Sequence, residues 1–133
     1  MDKMTLLRLT NDASVTATGA SPQVAQIGPV IPDDKVRRVW RLSVTNNDST
    51  ACTVQVYVGD SANYTRTLID QFTVPANSTS TVPACEADVH NPQYTLRPTT
   101  SASPTQNNQI SLRITTSGSV NITARMSYYD LRG

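Results

Sequence analysis

The feature that most limits the fold is a two-residue alternation of apolar and polar side chains, repeated along the chain with almost no helical spacing. In CTVQVYV, Cys52, Val54, Val56 and Val58 share one side, and Thr53, Gln55 and Tyr57 the other. In VWRLSV, Trp40, Leu42 and Val44 oppose Val39, Arg41 and Ser43. QISLRIT sets Ile110, Leu112 and Ile114 against Ser111 and Arg113. SVNITARMSYYD sets Val120, Ile122, Ala124, Met126 and Tyr128 against Asn121, Thr123, Arg125, Ser127 and Tyr129. Successive side chains of a strand point to opposite faces, so each segment reads as a strand with one buried face.

Weaker strands are expected near 5–9, 13–17, 23–28, 67–74, 79–83 and 93–97. Asn and Asp in TNNDSTA (45–51) bond their own backbone and mark a turn. The glycine in TTSGSV (115–120) suggests a hairpin. In TVPANSTSTVPA (73–84), Pro75 cannot continue a ladder because it lacks an N–H, and ANS supplies a turn. That stretch reads as a strand–turn–strand corner, with Leu68, Phe72 and Val74 on the core side before it. Short strands at this spacing indicate an all-β antiparallel sandwich, jelly-roll or Ig-like. Trp40, Leu42, Val54, Val56, Phe72, Leu112, Ile114, Ile122 and Met126 share parity and form the expected core. Residues 13–32 hold no charge and carry Pro22, Pro29 and Pro32, so residues 1–35 read as an extended N-terminal arm and 36–133 as the sandwich domain. Residues 83–108, with four prolines, read as a long loop.

The chain's 133 residues suffice for one domain with a real core. A net charge of +1 gives no overall field for nucleic acid, and no apolar run approaches the ~20 residues of a membrane span. Neither nucleic acid nor a membrane is therefore an expected partner. The start, MDKMTLLRLT, reads as no secretory leader. The sequons at Asn47, Asn63, Asn77 and Asn121 then read as products of Asn/Ser/Thr-rich turns. Cys52 and Cys85 are expected to be unbridged, Cys52 as a buried thiol.

No catalytic, cofactor-binding or metal site is expected, and no cofactor. The single histidine, His90, lies near Glu86 and Asp88, which reads as a solvated loop and not as a metal site. No glycines frame a serine as a nucleophile elbow does, and no glycine-rich phosphate cradle is present. The chain therefore reads as no enzyme. Charged residues make up 16% of it, against about 25% in typical globular proteins. Arginine outnumbers lysine, which occurs only at Lys3 and Lys35. Arginine's planar fork suits interfaces, whereas lysine mainly keeps a surface soluble. By parity Arg37, Arg41, Arg113 and Arg125 face outwards with Tyr57 and Tyr129, and these six are the candidate partner contact.

Taken in order, VWRLSVTNND (39–48), ACTVQVYVGD (51–60), LIDQFTVPANSTSTV (68–82) and SVNITARMSYYD (119–130) resemble the small β-sandwich virion proteins of tailed bacteriophages. The resemblance covers roughly 36–130. It implies a structural role: a head decoration or minor capsid protein, often a homotrimer, docking on the major capsid protein or another virion component. A neck, collar or tail position is an alternative within that class, and a carbohydrate- or receptor-binding sandwich module is one outside it. The implied location is the virion, assembled in the host cytoplasm.

Overall fold

The computed structural model describes residues 10–32, 34–60, 65–82, 94–96 and 108–132. Within them the strands are β1 (Asn11–Ala20), β2 (Gln23–Ile27), β3 (Lys35–Asn46), β4 (Cys52–Asp60), β5 (Thr65–Val74), β6 (Ser78–Val82), β7 (Tyr94–Leu96), β8 (Asn108–Thr116) and β9 (Ser119–Arg132). They form two antiparallel sheets. Sheet A has the order β1-β9-β3-β6, and sheet B the order β2-β8-β4-β5. The short β7 pairs with β3 over Arg37–Val39, on the edge of β3 that β6 occupies over Leu42–Asn46. The protein is thus an antiparallel β-sandwich, as the alternation implies.

The path of the chain distinguishes between the two expected sandwich types. Among the described strands, chain order alternates between sheets at almost every connection; β4–β5 is a hairpin within one sheet, and β6 and β7 both belong to sheet A. The orders β1-β9-β3-β6 and β2-β8-β4-β5, with β7 added beside β3, are those of a jelly roll and not of the sheet pair of an immunoglobulin domain. The connection at 117–118 is therefore a corner from β8 in sheet B to β9 in sheet A, and not the expected hairpin. The 75–77 corner does the same for β5 and β6. Pro75 ends the β5 ladder, and Asn77 turns the chain with a φ of 52°.

Two bulges account for most departures from simple parity. The β3–β9 register shifts between Val39 and Arg41, which inserts Trp40 as an extra residue. Beyond it Leu42 and Val44 face the core as expected, but before it the sense inverts. Val39 and Arg37 therefore point inwards, and Trp40 leaves the core to pack on Tyr129 outside sheet A. In β5, the register shift opposite Val56 and Tyr57 inserts Ile69. Ile69 packs on the core, while Leu68 turns out and is 48% exposed. The other expected core residues hold their places, Phe72 being partly buried against the cluster.

The expected arm is corrected as well. Asn11–Ala20 pairs along its length with Ser119–Tyr128 of β9, and Gln23–Ile27 pairs with Ile110–Ile114 of β8. Ala17, Ile27 and Ile31 are buried in the common core. Proline and the lack of charge here reflect sheet edges and a corner, where both are suited. Gly28 has a φ of +77° at this corner, and a Cβ there would lie 2.9 Å from Met126 Cε.

Candidate functional site

The six candidate residues separate into three groups. Arg37 and Tyr129 are fully buried, Arg41 and Arg125 lie outside sheet A, and Tyr57 and Arg113 lie outside sheet B.

Arg37 is a structural clamp and not a surface contact. Its Nε donates to Asp130 Oδ1 at 2.8 Å, its Nη2 to Asp130 Oδ2 at 2.9 Å, and its Nη1 to the carbonyl of Pro29 at 2.6 Å. The guanidinium also sits 4.3 Å from the centre of the Tyr128 ring. Each of the three guanidinium nitrogens thus has an acceptor, which offsets the cost of burying the charge. Burial pushes the Tyr128 phenol above its ordinary range, with Arg37 opposing the shift and Asp130 adding to it. Tyr129 has outward parity, but Trp40 and Leu131 pack against it. At this end of the sheet, Arg38 Nε and Trp40 Nε1 are buried without a hydrogen-bond partner among the described residues.

The outer face of sheet A is a lattice of hydroxyls. Cross-strand rows run Asp12–Ser127–Arg41, Ser14–Arg125–Ser43–Thr81 and Thr16–Thr123–Thr45–Thr79. Ser127 Oγ donates to Asp12 Oδ1 at 2.7 Å, and the Thr45 and Thr79 hydroxyls are 2.8 Å apart. All of these residues except Thr16 and Thr81 line an open concavity of about 850 Å³. Arg41 and Arg125 are diagonal neighbours across β3 and β9. Both are exposed, and neither is in an ion pair among the described residues. Like charges roughly 7 Å apart in water repel by on the order of 0.5 kcal/mol, a cost that Asp12 in the same lattice offsets only in part, without an ion pair.

The outer face of sheet B differs in kind. Its rows are Val24–Arg113–Gln55–Gln71 and Gln26–Ser111–Tyr57–Leu68. Gln55 Oε1 accepts from Arg113 Nη1 and from Tyr57 Oη, each at 3.2 Å, while Gln55 Nε2 donates to Gln71 Oε1 at 3.0 Å. The network fixes an aromatic ring and a guanidinium in place between two exposed aliphatic side chains, Val24 and Leu68. Sequence parity finds Tyr57 and Arg113. It misses Leu68, which only the β5 bulge turns outwards.

Cys52 is a buried free thiol, and burial pushes its pKa up, with a hydrogen bond to Val74 opposing. Cys85, His90, Glu86 and Asp88 lie outside the described residues. Among those described, no three of His, Cys, Asp and Glu come together as metal ligands would. Among the described residues no helix is long and apolar enough to cross a membrane.

No protein-family model and no curated protein matches the chain. Among solved structures it is similar to a chain of Bacillus endospore appendages, described as a novel family of disulfide-linked pili. The identity is 14% over 92% of this chain and 87% of that one, with a TM-score of 0.46. It is also similar to a structure of infectious bursal disease virus, Gt strain. There the identity is 8% over 92% of this chain and 40% of the other, with a TM-score of 0.22. Scores this low carry no argument about fold or function for either likeness.

Proposed function

We propose that the protein is a non-enzymatic structural component of a tailed-phage particle, docking on the assembled head as a decoration protein, with the major capsid protein as its partner. The observation that carries this reading is the outer face of sheet B. An ordered tyrosine and arginine flanked by exposed Val24 and Leu68, with no lysine, has the composition of a protein contact. The jelly roll adds support by analogy, since the same architecture serves in viral capsid domains. The order of motifs over 36–130 points to the particle, and the homotrimer is the form which that resemblance implies. Copies bound on a repeated shell would act together, so modest single contacts suffice.

Rebinding of purified protein to particles that lack it tests the reading. Tyr57→Ala combined with Arg113→Glu should weaken rebinding at least tenfold, while Arg41→Gln with Arg125→Gln should leave it near wild type. Wild-type rebinding by the Tyr57/Arg113 variant would sink the assignment of this face. Failure of the wild-type protein to bind any particle component would sink the function.

A further inference from the structure

We infer that the outer face of sheet A is a binding site for a carboxylate-bearing polysaccharide. The site is independent of the docking reading, because it lies on the opposite side of the sandwich. The charge is the first argument. Arg41 and Arg125 project as diagonal neighbours from β3 and β9 with no ion pair to either among the described residues; the one carboxylate in the lining, Asp12, is engaged by the Ser127 hydroxyl. A guanidinium offers two parallel donors to a carboxylate, so two free forks present a matched place for carboxylates on a repeating chain. The floor is the second argument. Ser43, Thr45, Thr79 and Thr123 surround the arginines with groups that both donate and accept hydrogen bonds, as sugar hydroxyls do. The concavity is the third. At about 850 Å³ it is open and spans three adjacent strands and β1, which suits an extended hydrated ligand more than an enclosed small molecule. Among the described residues its lining contains no aromatic side chain, so it has neither the stacking platform of a single-stranded nucleic-acid site nor the apolar centre of a dry protein interface.

Titration calorimetry with polygalacturonate oligosaccharides tests the inference. Fully methyl-esterified oligosaccharide, poly-glutamate and oligo-dT serve as comparisons. The acidic sugar should bind, and its affinity should fall as salt is raised. Arg41→Gln with Arg125→Gln should weaken it at least tenfold, and Arg113→Gln on the far face should not. Amide shifts in the wild-type protein should map to β1, β3 and β9, which keeps the test decisive even if the double variant folds poorly. The inference is overturned if polygalacturonate does not bind, if the methyl ester binds equally well, or if the arginine variant binds like wild type. Tighter binding of poly-glutamate or oligo-dT also overturns it, in favour of an acidic peptide or a nucleic acid.

Discussion

Arg37 shows how much one residue can depend on its neighbours. It is fully buried, yet its charge is matched by both oxygens of Asp130 and by a backbone carbonyl. Removing one partner would leave the other charge poorly compensated. Arg37→Ala should therefore cost about 3–5 kcal/mol in urea denaturation. The paired change Arg37→Met with Asp130→Leu should recover most of that loss, and a cost under about 1 kcal/mol for the single change would show that the clamp is not what holds this end of the sandwich. Tyr128 beneath it supplies a pH test. Its folded pKa is raised above the ordinary value near 10, so the unfolded chain loses this proton first. Its contribution is fully present below about pH 10 and is lost as pH rises through the folded value. Tyr128→Phe should accordingly show a shallower loss of stability as the pH rises above about 10, read from thermal melts. Arg37 was not legible as a buried residue, because alternation in VWRLSV gives the parity of a strand but not the place where a bulge inverts it. A bulge depends on the partner strand, and the β3–β9 pairing joins residues far apart in the chain.

At the scale of the elements, sequence reading worked where the strand itself carries no inserted residue, the two bulges falling in β3 and β5. Cys52 to Val58 in β4 and Val120 to Tyr128 in β9 bury the residues their alternation selects. It worked for the Asn-rich turn too, where Asn46 Oδ1 accepts from the Asp48 amide at 3.0 Å, and Asn46 Nδ2 donates to Thr50 O at 2.8 Å. The strands expected near 13–17 and 23–28 are present as β1 and β2, but the free arm to which the uncharged, proline-bearing residues 13–32 were assigned is not, because both strands pair within the sheets. Edge strands bury less and need less apolar surface, so a low-charge, proline-bearing segment can belong to a sheet as readily as it can hang free. The consequence is direct. Deleting residues 1–30 removes β1, β2 and the buried Ala17 and Ile27. The truncated chain should lose its cooperative unfolding transition in circular dichroism, where a dispensable arm would leave the transition near its original midpoint.

For the whole molecule, the proposed roles rest on the two outer faces, and the sandwich is the frame that holds them apart. Outward parity was legible for Arg41, Arg113, Arg125 and Tyr57 one strand at a time. Their division into two surfaces was not, because strand order decides which sheet each residue joins. β3 and β9 carry Arg41 and Arg125 into sheet A, while β4 and β8 carry Tyr57 and Arg113 into sheet B. Opposed faces of different chemistry allow the protein to be fixed through one and to present the other. A density map of the whole particle, at a resolution that distinguishes the two sheets, tests this most directly. The account predicts density for this chain at symmetry-related positions on the head, with Tyr57 and Arg113 against the shell and Arg41 and Arg125 turned to solvent. Density with sheet A against the shell would contradict the assignment of faces, and a particle without density for the chain would contradict the docking role itself.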